Sequence, residues 1–360
     1  MPNPLRAHLT AKPNKPTPWN MFQRRSATVH RYASQNEDPA ARAILPPPRP
    51  LGGYPCIDDY VSEPARLACP KGGARATSAS KPISEGLASI VTVVRNASTT
   101  ISRTLDSIRA QSYPHLELIV IDGGSIDGTL DIIRERESDI DLWISEPDRG
   151  IADAFNKGIA LASGEFIALV NADDWIEPNH VAYSIDLLHA SGADFTFGNL
   201  TFHDRDNHLI YSVIGDEHYG LRLRHAMPAI NHPTLVCHRA LYVRNGLFDL
   251  HYRIAMDYEW LLRNHSRGAV GRYIPDLTSH MGSGGVSQRH IRASLLEVRR
   301  ASIAYGYPTA YAFSRYYARL LRAHIRLLLE KLLPHTVIDS IHTVINPRYR
   351  RSPTRAPTTR

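Results

Sequence analysis

The chain has 360 residues and a hydrophobic fraction of 43%, enough for one large domain or two ordinary ones with a sizeable core. Its formal net charge of +7 favours anionic partners such as nucleotides, nucleic acid or an acidic membrane surface, without choosing among them. The opening residues lack the apolar stretch of a signal peptide, and no run of about 18 apolar residues occurs, so the expectation is a protein that is not integral to a membrane. Cys56, Cys69 and Cys237 have no metal-ligand spacing, and their odd number argues for a reducing, cytoplasmic location.

Residues 1–85 are rich in Pro, Arg, Ser and Ala without a sustained period, which predicts a disordered or mis-annotated N-terminal extension. From there the texture changes. Ala88–Val94 is a short β-branched run suited to a buried parallel strand. Ser98 or Thr99 is placed to cap a helix carrying Ile101, Leu105 and Ile108 on one face. Leu116–Ile121 reads as a second strand ending at Asp122, followed by a turn with Gly123, Gly124 and Gly128 and a helix with Leu130 and Ile133. Leu142–Ser145 is a third strand, and Ile151, Phe155, Ile159 and Ala162 stripe a third helix. Phe166–Asn171 is a fourth strand, with Asp173 and Asp174 directly behind it.

Strand and helix alternating in this way imply an α/β fold, with a mostly parallel central sheet flanked by helices. Ligands of such sheets bind beyond the carboxyl ends of the strands, so Asp122 and the Asp173–Asp174 pair are expected on one edge. Further on, residues 201–255 hold short strands and loops, 257–264 read as helix, a glycine-rich loop occupies 282–285, and 290–333 are helical. The last residues form a basic tail expected to be solvated.

Neighbouring carboxylates at a strand end repel unless a cation offsets them, and Mg²⁺ or Mn²⁺ accepts such oxygen ligands while bridging to substrate phosphate. The alternative is that one of Asp173 and Asp174 caps the helix begun near Pro178 and the other is simply exposed. Asp122 is suited to accept hydrogen bonds from a base or ribose; alternatively, it and Asp127 bond local amides in a turn. The glycine spacing matches neither the dinucleotide fingerprint nor the P-loop.

TVVRN at 92–96, VIDGGSIDGT at 120–129, WISEPDRGIADAFNKGI at 143–159 and NADDW at 171–175 resemble family 2 glycosyltransferases of the bacterial exopolysaccharide and lipopolysaccharide group, with the GT-A fold. NHPTLVCHRALY at 231–242, LFDLHYRIAMDYEWLLR at 247–263 and GGVS at 284–287 continue the resemblance in the same order. It implies a GT-A domain over 86–290, C-terminal basic amphipathic helices over 291–335 and a basic tail over 336–360. It also implies transfer, with inversion, of a sugar from a nucleotide-diphosphate-sugar donor to a saccharide or lipid-linked saccharide acceptor, without nucleic acid as a partner.

By the same resemblance Thr92 and Asp122 contact the nucleoside, Asp173 and Asp174 are the acidic metal motif with Asp174 the direct ligand, and Arg149, Asp153 and Lys157 cover the donor. Asp257 stands where the family has its general base, with Glu259 as the competing base; as a surface acid at a helix start, Asp257 also suits the helix dipole. Arg95 occupies a position where relatives often carry Tyr, which removes a ring that packs on the base. His280, near the glycine-rich loop, is a candidate third metal ligand, and His232 a candidate for shaping the acceptor pocket; either is otherwise a structural histidine.

Arg315, Arg319, Arg322 and Arg326 recur at spacings of three and four in the C-terminal helix. They predict a basic stripe that lies on an anionic membrane, at the inner face of the cell membrane, or a solvated face of a helix packed on the domain. The rival enzyme class is a nucleotidyltransferase, which would carry a glycine-rich basic loop after the first strand, where this chain reads RNASTT. A catalytically inactive binding protein is the remaining alternative, and intact acids at 122, 173, 174 and 257 argue against it. The N-x-[ST] matches at Asn96, Asn199 and Asn264 are read as chance.

Overall fold

A computed structural model describes residues 53–61, 70–75, 83–204, 206–223, 230, 232–282, 290–332 and 349–351. The strands are β1 (Lys71–Gly72), β2 (Ser84–Val94), β3 (Leu116–Asp122), β4 (Leu142–Ser145), β5 (Gly164–Asn171), β6 (Asp174–Ile176), β7 (Phe195–His203), β8 (Leu209–Val213), β9 (Val236–His238), β10 (Gly271–Gly282) and β11 (Tyr349–Arg351). The helices are α1 (Ile57–Val61), α2 (Ile101–Arg109), α3 (Thr129–Glu135), α4 (Ile151–Leu161), α5 (His180–Ser191), α6 (Tyr219–Leu223), α7 (Ala240–Asn245), α8 (Met256–Ser266), α9 (Ile291–Ala304) and α10 (Thr309–Leu332).

One sheet runs in the order β1-β4-β3-β2-β5-β9-β7-β10-β6, with β8 on β7 and β11 on β8. The four-strand block β4-β3-β2-β5 is parallel throughout, as the sequence alternation implies. Beyond it the sheet is mixed, because β9 joins β5 and β7 antiparallel and β6 joins β10 antiparallel. Among the described strands the parallel pairing resumes only at β7–β10. The mixed half was not legible because its pairings join strands that are distant in sequence, such as β5 with β9 and β6 with β10.

Helices cover both faces, which explains why β2 and β3 are apolar at successive positions rather than at alternate ones. Val91, Ile119, Ile121 and Ile167 pack on one face with Phe155 and Ile159 of α4, while Ile90, Val120 and Val170 pack on the other with Ile101 and Leu105 of α2 and Ile185 of α5. Gly158 lets α4 lie hard against β2, because a Cβ there would run into the side chain of Val91. Ile151, at the head of the expected α4 stripe, is instead 37% exposed.

Two parts of the sequence reading are corrected. Residues 53–61 and 70–75 are folded rather than disordered: β1 pairs with β4, and buried Tyr60 donates to Asp153 at 3.0 Å. Buried Arg75 forms an ion pair with Glu117, which also accepts from Ser163. The remainder of 1–82 lies outside the described residues. At the other end, Tyr349–Arg351 is a strand on β8 rather than solvated tail.

Candidate active site

Register brings the sequence-distant acids to one edge. Val94 pairs with Asp122 across β2–β3, and Val93 pairs with Asn171 across β2–β5, so the carboxyl ends of three adjacent parallel strands are level. At about 4.8 Å per strand, Asp122 and Asn171 stand about 10 Å apart across that edge.

Asp174 begins β6 and is fully buried. Its Oδ2 accepts from Asn171 Nδ2 at 2.9 Å, while its Oδ1 is buried without a hydrogen-bond partner. Burial and the neighbouring Asp173 charge hold its carboxyl well above the usual range, against the opposing pull of Asn171, the Arg103 charge and the Gly282 amide. Arg103 of α2, which the sequence did not single out, donates to the Asp173 carbonyl at 3.2 Å and lies over the Trp175 ring at 3.7 Å. Burial depresses the Arg103 guanidinium pKa, and the charges of Asp173 and Asp174 oppose that depression. A buried carboxylate oxygen without a donor, beside a second carboxylate, is a donor set that fits a hard divalent cation.

Asp122 is fully buried, and its carboxylate accepts from Ser145 Oγ at 2.6 Å and from the Ser125 amide at 3.1 Å. This is the turn geometry, with Asp127 likewise accepting from the Thr129 and Ser98 amides. Thr92 is fully buried in the middle of the sheet, and its hydroxyl has no hydrogen-bond partner. Arg95, the residue directly after the strand end, is exposed.

Arg149, Asp153 and Lys157 form one network on α4 and the loop before it. Asp153 accepts from Arg149 Nη2 at 2.8 Å and lies 3.5 Å from Lys157 Nζ, which in turn reaches Glu146 at 2.7 Å. Burial works to raise the Asp153 carboxyl, but the Arg149 hydrogen bonds and the Lys157 charge outweigh it, leaving the pKa low. Lys157 is buried and held by Glu146, Asp153 and the Pro147 carbonyl, whereas the Arg149 side chain is 65% exposed. Of these cations, Arg149 is the one turned to solvent.

Asp257 lies in the first turn of α8, half-buried, with its Oδ1 accepting from the Tyr258 amide at 2.8 Å. Burial, with a smaller push from Glu297, raises its carboxyl to about 6 despite the helix start. Glu297 of α9 accepts from the backbone amides of Arg253, Ile254 and Ala255 at 3.0, 2.8 and 2.8 Å, pinning the approach to Asp257. Nothing in the local sequence of α9 marked Glu297, because its partners are backbone groups far upstream.

Glu259 is a different case. It is fully buried, paired with Arg263 at 2.9 Å, and accepts from Tyr305 Oη at 2.6 Å. Tyr54 bonds Tyr305 at 2.8 Å and lies under the Arg263 guanidinium at 3.9 Å, so Glu259 ties α8 to α9 and to the N-terminal segment. Both of its carboxylate oxygens are thus engaged inside the core, whereas Asp257 is only half-buried.

His280 pairs in register with Trp175 and stacks on that ring at 5.0 Å, while Met281 pairs with Asp174. Successive residues of a strand point to opposite faces, so His280 and Asp174 lie on opposite sides of the sheet. Its Nδ1 bonds Thr201 at 2.6 Å, and burial lowers its pKa to about 4, keeping the ring neutral. The expectation that His280 joins Asp174 at the metal therefore does not hold. His232 packs on Phe155 at 4.9 Å, with its pKa lowered to about 4 by burial. The glycine-rich loop beyond Gly282 lies outside the described residues. Asp204, Asp206 and His208 converge within 4.8 Å in a turn where the Asp204 carboxylate accepts from the Asp206 and His208 backbone amides.

The arginine face of α10 also differs from expectation. Arg315 and Arg319 turn towards α9, lining a cavity of about 20 Å³ with Ser302 and Tyr311, and burial lowers the Arg319 pKa. Arg322 stays exposed, and so does an apolar row on another side of the helix.

Comparison with known proteins identifies the family. Residues 89–249 match the family described as Glycosyl transferase family 2. The uncharacterised glycosyltransferase Rv1514c of Mycobacterium tuberculosis is 34% identical over 183 residues, covering 49% of this chain and 67% of that protein. The glycosyltransferase GlyA of Streptococcus pneumoniae is 30% identical over 134 residues, 36% of this chain, which spans only 19% of that protein's length. Staphylococcus aureus TarS aligns in structure with 17% identity and a TM-score of 0.48, over 66% of this chain and 43% of TarS. The chain belongs to glycosyl transferase family 2.

Proposed function

We propose that this protein is an inverting, metal-dependent glycosyltransferase, moving a sugar from a nucleotide-diphosphate-sugar to an acceptor hydroxyl in the synthesis of a bacterial surface polysaccharide. The observation that carries the reading is the buried Asp174 Oδ1, left without a donor beside Asp173 at the carboxyl edge of the parallel strands. Asp174, with Asp173 adjoining it, would hold Mg²⁺ or Mn²⁺. When bound, the ion offsets the charge of the donor's diphosphate.

The chain's own residues supply the rest. Asp257 takes the proton from the acceptor hydroxyl as that oxygen forms a bond to the anomeric carbon. The bond from that carbon to the diphosphate oxygen breaks, and its electron pair leaves with the diphosphate. A carboxyl at about 6 is deprotonated at neutral pH yet basic enough to accept the proton, which suits this role. Arg149, solvent-facing and anchored by Asp153, is the cation available to the departing diphosphate. Asp122 acts on the nucleoside indirectly, by fixing the Ser125 turn that borders the base.

Calorimetric titration of the full chain with UDP, GDP and dTDP, each with and without Mn²⁺, tests this reading. Binding of one nucleotide that requires metal and is lost in Asp174→Ala is the expected result. No binding by any of the three, in protein shown to be folded, would overturn it.

A further inference from the structure

Five large apolar side chains of α10 stand in solvent: Phe313 at 36%, Tyr317 at 59%, Leu321 at 61%, Ile325 at 46% and Leu328 at 56% exposure. They follow one another at four, four, four and three residues, so they form one stripe down one side of the helix, about 22 Å long at 1.5 Å per residue. Arginines that usually keep such a helix soluble do not screen it, because Arg315 and Arg319 point the other way, into the contact with α9. Isolated exposed hydrophobics are ordinary in a folded protein, but a continuous row on one helix marks a surface that something covers.

Charge decides what covers it. Residues 291–332 hold eight Arg or Lys (292, 299, 300, 315, 319, 322, 326 and 331) against two Glu (297 and 330). Arg292 and Arg322 are exposed, and the Arg299 guanidinium lies over the Phe313 ring at 4.3 Å, keeping a cation at the stripe's edge. A second copy docking through the same stripe would bring two strongly basic surfaces together, at a cost. A sheet of anionic headgroups above acyl chains complements both the apolar row and its basic margin. Among the described residues no helix is long and apolar enough to cross a membrane, so such a helix lies in the interface.

We infer that the outward face of α10, from Phe313 to Leu328, docks the protein onto an anionic lipid surface. The inference does not depend on the donor or on the metal. The inward face of the same helix packs on α9, where Arg319 lines a cavity with Ser302, whose hydroxyl bonds that of Tyr258, the residue after Asp257, at 3.2 Å. Docking by this face therefore ties the α9–α10 pair, on which α8 packs, to the membrane.

The test is co-sedimentation of the full chain with vesicles of phosphatidylcholine alone and of equal parts phosphatidylcholine and phosphatidylglycerol, with light scattering of the lipid-free protein in parallel. The expected result is a monomer that pellets with the anionic vesicles and is released by salt. Leu321→Glu lowers the partition coefficient by about tenfold or more. Tyr317→Ser lowers it in the same direction, and serves where the charged variant fails to fold. Arg292→Glu with Arg322→Glu removes the preference for anionic over neutral vesicles. Failure of the parent chain to bind either vesicle would overturn the inference, as would unchanged binding by the folded Leu321 and Tyr317 variants. A dimer that Leu321→Glu dissociates would assign the face to a second copy instead.

Discussion

The carboxylate of Glu297 takes the three backbone amides that lead directly into Asp257, so a residue of α9 sets where the first turn of α8 begins. Its charge also adds to the burial that raises the Asp257 carboxyl to about 6. In Glu297→Gln one oxygen remains to accept and the amide group opposes the backbone donors. The variant should lose about 1–3 kcal/mol of stability in denaturant titrations. With the charge gone, the acid limb of the pH profile of kcat/KM should move to lower pH.

Asp257→Asn separates chemistry from stability. Transfer should fall by about 100-fold or more, with nucleotide binding intact. The folded-state value of about 6 lies above the ordinary 3.8, so the folded chain holds this proton more tightly than the unfolded chain does. The contribution to stability is thus full below the unfolded value and is lost as pH rises through about 6. Because asparagine never ionises, the variant should be more stable than the parent at about pH 8, by about 3 kcal/mol, with the difference gone by about pH 3. Thermal melts at the two pH values check this.

Glu259 should behave in the opposite way. Glu259→Ala strands the fully buried Arg263, at a cost of about 3–5 kcal/mol. Folded protein recovered at low temperature should keep the parent's pH profile, since Glu259 faces Tyr305 rather than the acceptor side.

His280→Ala should leave the Mn²⁺ dependence of nucleotide binding within about twofold of the parent. Loss of a true metal ligand or its hydrogen-bonded support typically lowers metal affinity by about 10–100-fold. Calorimetry at graded Mn²⁺ distinguishes the two, and the stacking on Trp175 predicts a stability loss instead.

The parallel block and its edge acids were legible because each depends on local pattern. Apolar runs bounded by turns gave β2 to β5, and the position of Asp122 and Asp173–Asp174 behind strand ends gave the shared edge. What stayed hidden depends on pairings between distant residues. Asp257 and Glu259 are two residues apart and alike in sequence, and only Tyr54, Arg263 and Tyr305 reveal that Glu259 is tied into the core. His280 was placed with the wrong face because strand parity at β10–β6 cannot be read before the register is known. The folded N-terminal pieces escaped for a related reason: Tyr60 and Arg75 are single buried anchors in a stretch without periodicity.

The central claim is a division of labour, with Asp174 holding the donor's metal and Asp257 doing the proton transfer. Release of nucleoside diphosphate from a nucleotide-sugar, measured beside Mn²⁺-dependent nucleotide binding in Asp174→Ala and Asp257→Asn, tests it most directly. The account predicts that the Asp174 variant loses both, and that the Asp257 variant binds like the parent while release falls by about 100-fold or more. Metal-dependent binding retained by Asp174→Ala, or release at the parent's rate by Asp257→Asn, would contradict it.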